Sequence, residues 1–213
     1  MKKEKVIITC SHCAKEFESY IYPILHVEED KRLYKKALDT TLFLQKCPYC
    51  NLDTVFPYTC LFIDEIRKIA IGLGLDEKTY VTNVLKEIKD TEGYLLRIVD
   101  QPIELSEKLE INQAKMKDTL MECMKYHLLE NLHKQGIDAV HLIYHQERMI
   151  VIDSKGQTGS FQFEQAWYQE AVRSYKELCS SSSKNVYKID DAWVRSILHP
   201  LKIEESSEGV SIE

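Results

Sequence analysis

Two Cys-x-x-Cys pairs constrain the fold of this chain more than any other feature of its sequence. The pairs are Cys10/Cys13 and Cys47/Cys50, and each follows a segment that predicts a β-strand, residues 6–9 and 41–46. A strand that runs into a tight turn with this spacing can present two thiolates to one point. Two such turns supply the four ligands of a tetrahedral Zn²⁺, each sulfur about 2.3 Å from the metal. The sequence therefore predicts one structural zinc ion per chain, bound by Cys10, Cys13, Cys47 and Cys50.

The two pairs are farther apart than in most zinc ribbons. Thirty-three residues separate Cys13 from Cys47, whereas about 15–20 are usual for two such pairs. Residues 17–27 predict a strand and residues 28–39 predict a helix, and these inserted elements account for the excess. The spacing is thus compatible with a shared metal site.

The second pair also allows a redox interpretation. The Cys-Pro-Tyr-Cys tetrapeptide at 47–50 is the active-site sequence of glutaredoxins, in which the first cysteine starts a helix that lowers its pKa. Here residues 51–57 predict a turn and a strand, and no βαβ pattern follows. A dithiol redox protein that uses Cys47 and Cys50 remains the alternative to a zinc protein.

The other potential sulfur and imidazole ligands are expected to have structural roles. His12 lies inside the first pair and could replace a cysteine, but four cysteines already complete a zinc site. Cys60 is on a predicted strand, and Cys123 and Cys179 are on predicted helices among apolar residues. We expect these three cysteines to be small buried side chains.

The order of predicted elements indicates an α+β fold with a zinc-ribbon-like N-terminal sheet, helical additions and a small α+β C-terminal unit. We divide the chain into residues 1–135, residues 136–203 and a frayed acidic tail, 204–213. After the second cysteine pair, residues 54–64 and 67–73 predict a hairpin of two strands, followed by a helix from Asp76 to about 90 and a strand at 94–99. A helix at 103–111 and a long helix from Gln113 to about 135, capped by Asn112, come next. The remaining predicted elements are a hairpin at 140–152, a helix around Trp167–Leu178, a loop at Ser180–Ser183, a short strand at 186–189 and a final helix capped by Asp191.

Composition excludes several classes of protein. The 28 Lys and Arg against 34 Asp and Glu give a net charge of −6, which disfavours nucleic acid as a partner, since such binding depends on phosphate neutralisation. The sequence has no run of 18 consecutive apolar residues, so we expect no membrane span. The apolar run near the N-terminus is too short for a secretory signal, so we expect a cytoplasmic protein. Reduced cysteines are normal there.

One polar cluster raises the question of catalysis. Asp118 and Glu122 are four residues apart and share a helix face, and Glu107 and Lys108 lie on the preceding predicted helix. An ion-pair network between helices is the favoured interpretation. An enzyme with an acid–base site between the two units is the alternative.

Three pieces of the sequence together resemble the CpXC-domain proteins, a bacterial and archaeal group named for its two cysteine motifs. The pieces are the two cysteine pairs with a helix between them, the strand at 56–65, and residues 96–109 leading into the helix with Asp118 and Glu122. The resemblance covers residues 5–135, and the third piece is more specific than the cysteines alone. The family often has glycine after the second cysteine of a motif, where Ala14 and Asn51 stand here.

The resemblance implies a zinc-ribbon-like scaffold and no particular activity. The sequence therefore predicts a cytosolic zinc-binding protein that acts as a binding or interaction module. Its partner, a protein or a small molecule, is unknown from the sequence.

Overall fold

The structure is a computed structural model that describes residues 3–199. Its strands are β1 (Glu4–Thr9), β2 (Glu16–Ile21), β3 (Ile24–His26), β4 (Leu44–Lys46), β5 (Asp53–Val55), β6 (Cys60–Asp64), β7 (Ile69–Leu73), β8 (Leu95–Val99), β9 (His141–His145), β10 (Arg148–Ile152) and β11 (Thr158–Gln162). Its helices are α1 (Arg32–Leu38), α2 (Glu77–Glu87), α3 (Pro102–Gln113), α4 (Asp118–Lys134), α5 (Gln165–Ser182) and α6 (Asp191–Leu198). The α+β class predicted from the sequence is confirmed.

A four-stranded sheet in the order β3-β6-β7-β8 organises the first two thirds of the molecule. Strands β6 and β7 form the predicted hairpin, although the strand expected over residues 54–64 is divided into β5 and β6, which belong to different sheets. Every residue in β6 and β7 is buried, as their near-continuous apolar sequences require. Helix α2 covers one face through Tyr80 and Val84, and α1 and α3 cover the other through residues such as Leu33 and Leu105. Because both faces are covered, this sheet is the rigid base of the N-terminal part.

A second core forms around α4. Its apolar face packs against α5, α6 and the antiparallel sheet β11-β10-β9, with Met121, Cys123 and Trp193 among the buried side chains. The broad apolar stripe of this helix is thus core. The division of the chain at residue 135 stays a prediction, and the proposed tail at 204–213 lies outside the described residues.

The N-terminal strand and helix are shorter than predicted. The strand expected over residues 17–27 is two strands, β2 and β3, because Pro23 has no N–H to donate to a ladder. The carbonyl of Pro23 instead accepts a bond from the N–H of Leu61, and β3 lies at the edge of the sheet. The helix expected from Glu28 begins only at Arg32, whose N–H is accepted by the Asp30 carboxylate. Residues 41–43 form a 3-10 turn before the short β4.

The prediction that Asn112 caps a helix from Gln113 was wrong. Helix α3 continues to Gln113, and α4 begins at Asp118. A Schellman-type end separates them, in which Met116 N–H donates to Ile111 O and Lys115 N–H donates to Asn112 O. This motif needs a left-handed residue, and Lys115 supplies it with φ +56°. Glycine is the residue that usually marks such a helix end, so Lys115 did not predict the end of α3.

Three C-terminal predictions also need correction. Residues 180–182 belong to α5, within which the hydroxyls of Ser180 and Ser181 donate to carbonyls one turn earlier. Residues 186–189 form no regular strand, although the Tyr187 carbonyl accepts a bond from β8. The cap of α6 is Asp190, whose carboxylate accepts the Trp193 N–H at 2.9 Å, and Asp191 is the first helical residue. Within residues 3–199, no helix combines the length and apolarity needed to cross a bilayer.

Candidate metal centre

Two β-hairpins carry the cysteine pairs at their tips. The first pair lies between β1 and β2 and the second between β4 and β5, and both hairpins are antiparallel. The two turns have the same backbone bonds: the Ala14 N–H donates to Cys10 O, and the Asn51 N–H donates to Cys47 O, each at 3.0 Å. The chain therefore builds one knuckle twice, and each knuckle directs two thiols to the same side.

The four sulfur atoms of the two knuckles form one cluster. The Sγ atoms of Cys10, Cys13, Cys47 and Cys50 all lie within 4.8 Å of one another. The Sγ atoms of Cys10 and Cys50 lie 3.6 Å apart, and those of Cys13 and Cys47 lie 3.7 Å apart. A tetrahedral centre with bonds of about 2.3 Å has ligand-to-ligand edges of about 3.8 Å. These four residues could bind a metal ion, and the two separations of 3.6 and 3.7 Å fit thiolate coordination.

The surroundings of Cys10 and Cys50 shift the pKa values of these two thiols in opposite directions. A hydrogen bond from the Thr54 hydroxyl, 3.3 Å from the Cys10 sulfur, lowers the pKa of Cys10 to about 5 against the opposing effect of burial. For Cys50, the Leu52 N–H favours the thiolate, but burial and the neighbouring thiols outweigh it and raise the pKa to about 12. Four adjacent thiolates repel one another, and a dication offsets that repulsion.

His12 lies beside the four cysteines and joins the two hairpins. Its Nε2 atom donates to the carbonyl of Asp53 at 2.9 Å, so the imidazole joins the first knuckle to β5. The backbone N–H of His12 also points at the Cys10 sulfur, at 3.4 Å. This agrees with the structural role expected from the sequence.

Both knuckles place a non-glycine residue in the left-handed region. Ala14 has φ +57° and Asn51 has φ +62°, at the two positions where the family often has glycine. Asparagine adopts this conformation readily, whereas alanine pays about 1–2 kcal/mol. We therefore expect Ala14→Gly to raise the free energy of unfolding by about 1 kcal/mol, partly offset by the greater freedom of glycine in the unfolded chain.

Urea unfolding of the two variants checks this expectation. Asn51→Gly is the matched control, and its effect should be less than half as large. An Ala14→Gly protein that is no more stable than the parent would contradict the strained geometry of the first knuckle.

The surroundings of Cys47 differ from those of a redox-active cysteine. Cys47 is fully buried, and the residues after it form a turn and then β5, as the sequence predicted, rather than a helix. The helix N-terminus that activates a glutaredoxin thiol is thus not present at this position.

Cys60 is buried in β6, as expected. Cys123 and Cys179 are buried too, and their sulfur atoms lie 3.5 Å apart, a contact between α4 and α5 that the sequence pattern did not reveal.

The polar cluster is a buried ion-pair network between α3, α4 and β8. Lys108 Nζ lies 3.0 Å from Glu122 Oε1 and 3.6 Å from Asp118 Oδ2. Arg97 binds the Asp118 carboxylate through two nitrogens, Nε at 2.5 Å and a terminal nitrogen at 2.9 Å. Glu107, Lys108, Asp118 and Glu122 are the residues predicted from the sequence, whereas Arg97 and Lys125 were not predicted to belong to the network. Lys125 follows Glu122 by three residues on α4, and that helical spacing was a signal for it.

The network has equal numbers of acidic and basic side chains, and it connects α3 and α4 to β9. Lys125 Nζ donates to both carboxylate oxygens of Glu107, at 3.1 and 3.0 Å, and Glu107 also accepts the Tyr144 N–H of β9 at 2.7 Å. Burial raises the pKa of Glu107, although Lys125 opposes it. Burial also works against the charge of Asp118, but Lys108 and Arg97 outweigh it and lower the pKa to about 2.

Comparison with known proteins identifies the family. No curated protein and no solved structure matches the chain. The family model described as CpXC protein matches residues 8–125, which is more than half of the 213 residues. The matched segment contains both cysteine pairs and ends at Lys125, the last member of the buried network. The chain therefore belongs to the CpXC family.

Proposed function

We propose that this chain is a cytosolic zinc protein whose metal is structural, with Cys10, Cys13, Cys47 and Cys50 as its ligands. The convergence of the four sulfur atoms within 4.8 Å carries the proposal. Thiolates favour Zn²⁺ in a tetrahedral site, and four protein ligands leave no open position for a substrate or an activated water. The metal would then hold the two hairpins together as a zinc-ribbon-like unit.

The packing around the site supports a structural role. Ile8 and Phe17 are buried beside Cys10 and Cys47, and Phe56 packs against both this small cluster and the main apolar core. Among the described residues, this cluster has only four buried members, two of which are cysteines, so we expect the order of the hairpins to depend on the metal. A structural metal of this kind is linked to folding rather than to turnover.

Replacement of the zinc by Co²⁺ tests the closed coordination. We expect the visible spectrum of a tetrahedral cobalt tetrathiolate, and we expect it to stay unchanged when excess imidazole or cyanide is added. A spectrum that shifts with the added ligand would show an open position and would contradict a purely structural site.

We further propose that the N-terminal unit is an interaction module that uses the second knuckle. Supporting this, Tyr49, Leu52 and Val55 are 58%, 51% and 64% exposed, and Leu44 is the cross-strand partner of Val55. Exposed apolar side chains that cluster on one hairpin favour a binding surface.

A photo-crosslinking amino acid placed at position 49 tests this role in living cells. The matched control carries the same group at Ile66, which is 76% exposed in the β6–β7 turn, away from the knuckles. We expect discrete crosslinked species from position 49 and little from position 66. Equal labelling at the two positions would contradict a binding surface on the knuckle.

A further inference from the structure

A cavity of about 460 Å³ lies between α3, α4, β9 and residues 188–195. Its volume is within the range of small-molecule sites, about 300–1,000 Å³. Apolar side chains form part of its wall, including Ile98, Leu129, Leu142 and Ile189. Its floor is the buried part of the ion-pair network, Glu107, Lys108, Glu122 and Lys125. The cavity therefore combines an apolar wall with a floor of ion-paired side chains.

One carboxylate oxygen on the floor is available to a ligand. The shortest contacts of both lysines with Glu122 are to its Oε1 atom, from Lys108 at 3.0 Å and from Lys125 at 2.9 Å. Among residues 3–199, no group donates a hydrogen bond to the Oε2 atom, and the side chain is only 8% exposed. An ionised carboxylate has about four acceptor positions, so Oε2 can accept a further donor from within the cavity.

The rim of the cavity is acidic, whereas the floor is neutral. Glu107 and Glu122 balance Lys108 and Lys125 on the floor. The charged rim residues are the five acids Asp100, Glu104, Glu130, Asp190 and Asp191 and the two bases Lys188 and Arg195.

The two rim bases already have carboxylate partners. Lys188 Nζ lies 2.6 Å from Asp100 Oδ2, and Arg195 Nε lies 2.7 Å from Asp191 Oδ2. A concave surface with an excess of carboxylates concentrates cations.

We propose that this cavity binds a short aliphatic diamine. One ammonium group would donate to Glu122 Oε2 at the floor, the methylene chain would lie against the apolar wall, and the second ammonium would meet the rim carboxylate of Glu130. An anionic ligand of the same length would face the carboxylate excess of the rim, and a neutral diol would gain no attraction from it. The proposal goes beyond the metal centre and does not depend on it.

Calorimetric titration of the full-length, zinc-loaded protein with diaminobutane tests the proposal. Butanediol and succinate are the neutral and anionic probes of equal chain length. We expect saturable binding of one diaminobutane per chain that weakens as salt is added, and no binding of the other two compounds. Absence of diaminobutane binding, or equal binding of the diol, would overturn the proposal.

Two variants locate the binding. Glu122→Gln keeps the shape of the floor and should weaken diaminobutane binding at least about tenfold, the cost of one charge-assisted hydrogen bond. Glu130→Gln should weaken it about three- to tenfold, since this rim position is partly exposed.

Glu170→Gln is the matched control for the rim variant. Glu170 is also an exposed helical glutamate with a basic partner three residues away, but it does not line the cavity. Equal affinities of the Glu130→Gln and Glu170→Gln variants for diaminobutane would overturn the proposal. This comparison is the deciding test if Glu122→Gln fails to fold.

Discussion

Cys47→Ser is expected to release the metal and to unfold the N-terminal hairpins. The serine hydroxyl is a poor ligand for Zn²⁺, and the three remaining thiolates form an incomplete site. The binding energy of a structural zinc, about 10–16 kcal/mol in small domains, is as large as the whole stability of a typical domain, about 5–15 kcal/mol. We therefore expect zinc content near zero and a loss of stability of several kcal/mol, measured by metal analysis and thermal unfolding.

Cys60→Ala is the matched control for this loss. Cys60 is as buried as Cys47 but lies in β6, outside the cluster of four sulfur atoms. The control should keep its zinc and lose only the modest stability expected of a small core truncation. A Cys47→Ser protein that kept its metal and its melting temperature would contradict the structural role of the site.

Lys108→Met is expected to cause the second large loss of stability. The ammonium group is buried beside the carboxylates of Glu122 and Asp118, and it also donates to the Ile189 carbonyl at 3.2 Å. Removing one partner of a buried ion pair leaves an uncompensated charge, which costs about 3–5 kcal/mol. Urea unfolding measures the difference, with Lys184→Met, an exposed lysine, as the control that should change little.

The same network predicts that the stability of the folded protein falls at acid pH. The pKa of Asp118 is lowered to about 2 in the folded protein, below its unfolded value near 3.9. Its contribution to stability is therefore complete above about pH 4 and is lost as the pH falls toward 2. In Lys108→Met, this acid-dependent contribution should be smaller than in Lys184→Met. Identical acid unfolding curves for the two variants would show that Lys108 does not stabilise the Asp118 charge.

The regular elements were predictable where one local signal decided them. The β6–β7 hairpin has continuous apolar runs, and Asp76 is an N-cap whose carboxylate accepts the Thr79 N–H at 2.9 Å, as predicted. The break between α3 and α4 was not predictable, since Lys115 adopts a conformation that usually marks glycine. The end of α5 was missed because serines that bond back to the previous turn resemble a loop sequence.

The candidate metal centre was easier to predict than the cavity. A Cys-x-x-Cys pair is a short-range pattern, and the chain between the pairs only has to bring the two knuckles together. The cavity depends on contacts between residues far apart in the sequence, such as Lys108 with Ile189 and Glu107 with Tyr144. No periodicity in one segment reveals such contacts, although the helical spacing of Glu122 and Lys125 pointed to part of the network.

The most direct test of the central claim is the zinc content of the protein purified without added metal, combined with a thiol titration before and after chelation. We expect one zinc per chain and four additional reactive thiols once the chelator removes it, with Cys10, Cys13, Cys47 and Cys50 identified by mass spectrometry of the labelled protein. A protein that carries no metal and whose Cys47 and Cys50 cycle with glutathione between dithiol and disulfide would contradict a structural metal site.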